Sequence, residues 1–262
     1  MEINKIYNMD FRRAMKDLPH IDLVVTDPPY NIGFKYNSYE DKKSGDKYIE
    51  MLSHFENMPV AMIHYPEETM RYLVPALGVP NEVCAWCYNS NLPKQFRLIN
   101  FFNVNVDFNK VKQPYKNPTD KRVKKLIDNG SKGTRMYDWF SDIQMVKNVS
   151  KEKNHPCPIP ISLIERIILL TTNEGDTVMD PFMGSGTTAI ACKNTNRNFI
   201  GFEIDKMYYD IACERLEVYN TTSNPKSSNV TSATSVRLDN AKSISVINES
   251  FKDNENNFSI SV

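Results

Sequence analysis

Val178-Met179-Asp180-Pro181-Phe182-Met183-Gly184-Ser185-Gly186-Thr187-Thr188, running on into Ala189–Lys193, reads as a strand, a glycine turn and a helix. Glycines let backbones approach closely, and a helix N-terminus offers unpaired N–H groups. A phosphate loop of the Walker kind needs Gly-Lys-Ser/Thr, and no lysine stands here. Asp180, at the strand end, would also repel a pyrophosphate; it suits a ligand carrying a positive amine. The next strand-like stretch, Phe199-Ile200-Gly201-Phe202-Glu203-Ile204-Asp205, places Glu203 roughly twenty positions beyond the turn, where a ribose-hydroxyl partner is found in nucleotide folds. Asp205 reads as the N-cap of the following helix. The plain alternative for Glu203 is a solvated strand-end carboxylate.

Working outward, strand-like and helix-like stretches alternate. Strands are expected at Lys5–Met9, Ile21–Thr26, Glu82–Tyr88, Val104–Phe108, Thr177–Met179 and Asn198–Glu203. Helices are expected at Phe11–Lys16, Pro66–Leu77, Leu92–Phe101, Pro160–Thr172, Ser185–Lys193 and Lys206–Val218. In the last of these Met207, Ile211, Ala212 and Leu216 form one apolar stripe. Such alternation predicts an α/β fold, a doubly wound, mostly parallel sheet with helices on both faces. Ligands of these sheets bind beyond the carboxyl ends of the strands.

The 262 residues carry 32 Lys and Arg against 32 Asp and Glu, with 40% hydrophobic and 24% charged residues. Those fractions exclude fibrous and wholly disordered classes. No apolar run approaches the roughly 20 residues of a membrane span. The opening Met1-Glu2-Ile3-Asn4-Lys5 lacks a secretory profile, and five cysteines form no dense framework, so a cytoplasmic protein with no membrane partner is expected. From Thr221 on, Ser, Thr and Asn dominate, so 220–262 is expected to be a polar, disordered tail. A short element around Ser243–Ile247 docking back is the alternative.

A second strand end carries Asp27-Pro28-Pro29-Tyr30. Two consecutive prolines stiffen the turn and hold its carbonyls beside a carboxylate and an aromatic ring. That array suits a planar ligand with an exocyclic amino group; a plain strand-ending turn is equally compatible with the tetrapeptide alone. Cys84-Ala85-Trp86-Cys87 lies in a strand whose alternate residues face opposite sides, and no second pair or histidine cluster completes a metal set, so no metal site is expected.

Neutral overall charge argues against nucleic acid, but charge is unevenly placed. Residues 109–153 hold twelve basic groups (Lys110, Lys112, Lys116, Lys121, Arg122, Lys124, Lys125, Lys132, Arg135, Lys147, Lys151, Lys153) against five acidic ones. With Tyr115, Tyr137 and Trp139 interleaved, the stretch suits phosphate and base-edge contacts. A solvated surface loop is the alternative. Asn31–Lys47 is polar and is expected to form a mobile lid.

Together these elements resemble the amino-methylating DNA methyltransferases that use S-adenosylmethionine. Asp27–Tyr30 is similar to their catalytic motif, and Phe182-Met183-Gly184-Ser185-Gly186 to their cofactor motif. The catalytic motif comes first here, as in the permuted group called beta class. His155-Pro156-Cys157-Pro158-Ile159-Pro160 and the helix after it resemble the segment preceding the cofactor motif in that group, although many relatives have lysine where Ile159 stands. The resemblance covers about residues 4–218.

It implies a Rossmann-like methyltransferase domain over 1–219: a catalytic half at 1–108, a basic target-recognition insert at about 109–153 and a cofactor half at 154–219. It implies cofactor contacts from Asp10, His155, Asp180, Phe182, Gly184, Ser185, Gly186, Thr187, Thr188 and Glu203, and double-stranded DNA as partner. Asp27 and the Pro28 carbonyl would accept the two hydrogens of the target amine, in a turn stiffened by Pro29, while Tyr30 stacks on the flipped base. The initial Asp and terminal aromatic favour adenine N6. Cytosine-N4 methylation, RNA methylation by the same chemistry, and a silent cofactor- and DNA-binding protein stay open as alternatives. So do a homodimer and a paired restriction endonuclease.

Overall fold

In a computed structural model describing residues 1–34, 39–91, 93–146 and 159–223, the glycine-turn motif leaves the end of one strand of an eight-stranded sheet. His155, Lys147, Lys151, Lys153 and the tail from residue 224 lie outside the described residues. The strands are β1 (Lys5–Tyr7), β2 (Leu23–Thr26), β3 (Val60–His64), β4 (Glu82–Cys87), β5 (Phe96–Phe102), β6 (Lys112–Gln113), β7 (Thr134–Arg135), β8 (Trp139–Phe140), β9 (Thr177–Asp180) and β10 (Asn198–Phe202). The main sheet runs β1-β10-β9-β2-β3-β5-β4-β8, while β6 and β7 pair separately. Within the main sheet β5 alone is antiparallel to its neighbours, so the expected mostly parallel, doubly wound sheet is found.

Helices cover both faces: α1 (Gly45–Ser53), α2 (Pro66–Glu68), α3 (Val74–Leu77), α4 (Lys121–Asp128), α5 (Ile161–Thr171), α6 (Thr187–Asn194) and α7 (Lys206–Ser223). Alternate strand residues enter two cores, as period-two geometry requires. Leu23, Val25, Ala61 and Ile63 meet Leu163 and Ile167 of α5 and Ala212 of α7. Val24, Val60 and Met62 meet Tyr48 and Leu52 of α1 and Leu77 of α3. Every residue of β2 and β3 is buried, which is how parallel strands under helices on both sides behave.

The structure departs from expectation at five places. Leu92–Phe101 was expected to be helical; Phe96–Phe102 is instead the strand β5, paired on both edges, and Val104–Phe108 forms no strand. The aromatic and branched residues of Phe96-Arg97-Leu98-Ile99-Asn100-Phe101-Phe102 favour a pleated surface, and pairing with two neighbours overrides helical spacing. The unforeseen β3 is a short run apolar on both faces, without alternation to mark it. Phe11–Lys16 resolves into two 3-10 turns, Phe11–Arg13 and Met15–Asp17. Finally, α7 runs to Ser223, past the expected domain end at 219.

Among the described residues no helix is long and apolar enough to cross a membrane. None of their His, Cys, Asp and Glu side chains cluster in threes to hold a metal.

Gly186, preceding α6, has φ +85°, and a Cβ there would lie 3.1 Å from Ala212 Cβ and 3.2 Å from its Cα. The close approach that glycine permits is therefore to α7. Gly186→Ala is expected to destabilise the fold by about 2 kcal/mol or more, from left-handed strain and overpacking. Ala212→Gly in that background should return only the packing part, as read from urea-denaturation midpoints.

Candidate active site

Adjacent parallel strands β2 and β9 bring Asp27 and Asp180 to the same edge. Thr26 Oγ1 donates to Asp180 Oδ1 at 2.8 Å, the Phe182 N–H to the same oxygen at 3.0 Å, and Thr188 Oγ1 to Oδ2 at 2.5 Å. Burial pushes the Asp180 carboxyl up to about 6, against the pull of the Thr188, Thr26 and Phe182 donors. Asp180 was expected to face a cofactor amine. Instead it is buried and turned inward, clamping the ends of β2, β9 and α6 together.

The glycine turn lies against β10. The Gly184 N–H donates to Glu203 Oε2 and the Asp205 N–H to Oε1, both at 2.8 Å. Burial raises the Glu203 carboxyl and these two N–H groups oppose it. Ser185 is fixed from α7, where Arg215 Nη1 reaches its carbonyl at 2.5 Å and its Oγ at 2.8 Å. Thr187 and Thr188 are buried in the first turn of α6. Beside the turn, Asp10, Phe11, Phe182 and Glu203 line a cavity together with Tyr39 and Lys43. Asp10 grips Arg12 at 2.5 Å, and that hydrogen bond holds its carboxyl below the ordinary range.

The Asp27–Tyr30 turn is braced from three sides. Tyr30 Oη donates to Asp27 Oδ1, and Arg97 Nη1 of β5 lies 3.4 Å from Oδ2. Burial raises the Asp27 carboxyl, while Arg97 and the Tyr30 hydroxyl lower it. Tyr48 of α1 donates to the Pro29 carbonyl at 2.5 Å and lies 3.2 Å from His64 Nε2. The Tyr30 ring is only 7% exposed and stacks on His64, with centroids 4.2 Å apart.

The segment after the turn is pinned as well. Asp41, almost fully buried, accepts the N–H groups of Asn31 at 2.6 Å, Ile32 at 3.3 Å and Phe34 at 2.9 Å. Asn31 and Lys43 exchange a further pair of bonds, at 2.6 and 3.0 Å. The described part of the expected mobile lid is thus a tied loop, and Gly45 onward is helix α1.

The basic insert divides in two. Its return limb belongs to the body, with β8 pairing β4, Met136, Phe140 and Ile143 buried, and Trp86 Nε1 donating to the Ile143 carbonyl at 2.7 Å. Lys110, though exposed, is tied to the body, bonding the Thr172 carbonyl and Asn173 Oδ1 at 3.0 Å each. Lys112, Lys116, Lys132 and Arg135 are exposed, as are Lys121, Arg122, Lys124 and Lys125 of α4, a helix with no buried residue. Asp120 caps that helix, accepting the Arg122 N–H at 2.8 Å.

Comparison with known proteins gives this geometry a lineage. A family profile described as DNA methylase matches residues 63–214. The Type II methyltransferase M.HpaI of Haemophilus parainfluenzae is 32% identical over 234 residues, 78% of this chain and 71% of its own. The chain belongs to the DNA methylase family. The Type II methyltransferase M.BglII of Bacillus subtilis is 31% identical over 251 residues, 82% of this chain and 69% of its own. The crystal structure of an M1.HpyAVI–S-adenosylmethionine complex superposes with a TM-score of 0.56 at 25% identity, covering 81% of this chain and 98% of that one. This DNA methylase is accordingly an S-adenosylmethionine-dependent amino-methyltransferase with the Rossmann-like fold of its class.

The residues present fit that cofactor. Each Glu203 oxygen accepts one backbone N–H and keeps a second lone pair, enough for two ribose hydroxyls. Phe11 and Phe182 supply apolar wall for an adenine ring beside Asp10.

Several residues of the site carry no sequence motif: Arg97, Tyr48, Asp41 and His64. His64 has a defined tautomer, because the Tyr65 N–H donates to its Nδ1 at 3.1 Å and so leaves the proton on Nε2, facing Tyr48. Burial, with smaller contributions from Arg97 and Lys94, lowers its pKa to about 3. The unfolded chain takes up this proton as pH falls below about 6.5, the ordinary histidine value, whereas the folded chain does not until about 3. The stability contributed above that window is lost as pH falls through it, at about 1.4 kcal/mol per pH unit. Urea unfolding at about pH 7 and about pH 5 should show a larger loss for wild type than for His64→Gln, whose amide can still donate to Tyr48.

Proposed function

We propose that the protein methylates N6 of adenine in duplex DNA, with Asp27–Tyr30 as its catalytic turn. The carrying observation is the Thr26–Asp180 bond, which sets a partly exposed Asp27 carboxylate beside the glycine turn of the cofactor motif. The amine of adenine is a poor nucleophile because its lone pair is delocalised into the ring. Asp27 and the Pro28 carbonyl accept its two hydrogens and draw the nitrogen toward tetrahedral geometry. Tyr30 and Arg97 each occupy one Asp27 oxygen, leaving lone pairs on both for this task. S-adenosylmethionine supplies the electrophilic methyl on its sulfonium. As the N–C bond forms, the methyl's bond to sulfur breaks and its electron pair stays on a neutral thioether; one proton then leaves the nitrogen, and Asp27, raised by burial, is placed to take it. Positioning and acceptor electrostatics supply the rate enhancement, and no cysteine has a role.

Glu203 holds the ribose, with Asp10 and Phe182 about the adenine. Gly184, Ser185, Gly186, Thr187 and Thr188 shape the turn. The target base is flipped from the duplex at a cost of a few kcal/mol. The exposed lysines and arginines between Lys112 and Arg135 hold the DNA. The Asp at the head of the tetrapeptide supports adenine over cytosine.

Asp27→Ala is expected to abolish methyl transfer while leaving cofactor affinity intact. Nucleoside analysis of DNA methylated by the wild type should yield N6-methyladenine; N4-methylcytosine would overturn the choice of base. Combined Lys121→Glu, Lys124→Glu and Lys125→Glu should leave thermal stability unchanged. DNA affinity should fall on the order of tenfold or more, and the slope of log affinity against log salt should flatten by about 0.9 for each phosphate no longer neutralised.

A further inference from the structure

Arg97 is the sole charged residue of β5, the reversed interior strand between β3 and β4, and it is 5% exposed. Burying a cation costs several kcal/mol, and an apolar side chain in its place would often be more stabilising. Its surroundings aim it rather than neutralise it. The guanidinium carbon lies 5.4 Å from the Tyr30 and Tyr65 ring centres, 5.6 Å from Trp86 and 5.9 Å from Tyr88. Four ring contacts fix the guanidinium group, and Nη1 is directed at Asp27 Oδ2, 3.4 Å away. Among the described residues Asp27 is the one carboxylate within salt-bridge reach, and Nε has no hydrogen-bond partner at all.

We propose that Arg97 is the positioning residue of the catalytic turn: with the Tyr30 hydroxyl on the other oxygen, it holds Asp27 as an oriented carboxylate ready to accept the hydrogens of the target amine. The inference rests on Asp27 as the catalytic acceptor. Two anchors, one per oxygen, stop the carboxylate from rotating, so its remaining lone pairs keep one direction before substrate arrives. The groups acting on Asp27 are Tyr30 from its own turn, Arg97 from β5 and Asp180 from β9, while Tyr65 and Tyr88 surround Arg97, and His64, with Lys94 near it, stacks on Tyr30. His64 is neutral over the working range, so Arg97 is the cation in direct contact. Remove it, and burial together with Asp180 favours the protonated, non-accepting form of Asp27.

The test uses the full-length enzyme as Arg97→Gln and Arg97→Lys, with kcat measured against pH at saturating DNA and S-adenosylmethionine. Arg97→Gln is expected to lose on the order of tenfold or more in kcat near neutral pH and to recover as pH rises. Its acid limb moves to higher pH, while the KM values for DNA and cofactor stay within about twofold, since binding groups are untouched. Arg97→Lys, which keeps the charge but not the planar fork, should restore the acid limb while kcat stays depressed. A wild-type kcat and acid limb in Arg97→Gln would overturn the proposal. So would a pH-independent loss shared equally by both variants, which marks a packing role. If Arg97→Gln fails to bind cofactor, Arg97→Lys decides alone: an acid limb in the wild-type position supports the proposal and a shifted one sinks it. Full activity of Asp27→Ala would instead remove the catalytic assignment itself, whatever Arg97 does.

Discussion

One buried hydrogen bond, from Thr26 Oγ1 to Asp180 Oδ1 at 2.8 Å, joins parts of the chain 154 residues apart. Thr26 is the residue before Asp27, and Asp180 opens the turn that reaches Glu203 through Gly184. Burying a carboxylate this deeply is costly unless several donors meet it, and three do. Because the strands beneath are parallel and in register, Val24 beside Met179, the bond fixes both ends in height as well as in plane. The Asp27 carboxylate and the glycine turn consequently share one rigid edge.

Above that edge the structure favours orientation over flexibility. His64, Tyr48 and Pro29 form a hydrogen-bonded chain, Asp41 gathers three backbone N–H groups, and Arg97 is caged by rings. Buried polar networks of this kind are specific because a half-satisfied version is costly. Charge is partitioned accordingly. Carboxylates stand at the strand ends, while the exposed cations gather beyond Val111, so a net charge of zero conceals two opposite fields.

Motifs defined by backbone demands were legible in the sequence. Gly186, Glu203 and the Asp27–Tyr30 turn could be placed because positive φ, strand-end position and paired prolines restrict what the chain can do. Interior strands were harder. Val60–His64 is buried on both faces and shows no alternation, and Phe96–Phe102 has a composition that tertiary pairing decides. Misreading β5 hid Arg97, although a lone charge inside an apolar run was its signal. Asp180 was found, but its inward orientation depends on Thr26 and Thr188, which sequence distance separates. Tyr48 and His64 meet only after folding, so nothing local marks them.

Helix α4 contributes nothing to either core, whereas all four residues of β2 are buried. Surface substitutions away from packed or bonded features usually change stability by no more than about 0.5 kcal/mol. This exposed helix can therefore accumulate changes that would unfold the protein if made in the sheet. The exposed basic helix and the buried strand ends are thus parts of one chain with separate tolerances. A lineage can redraw that surface freely while the sheet beneath is inherited unaltered.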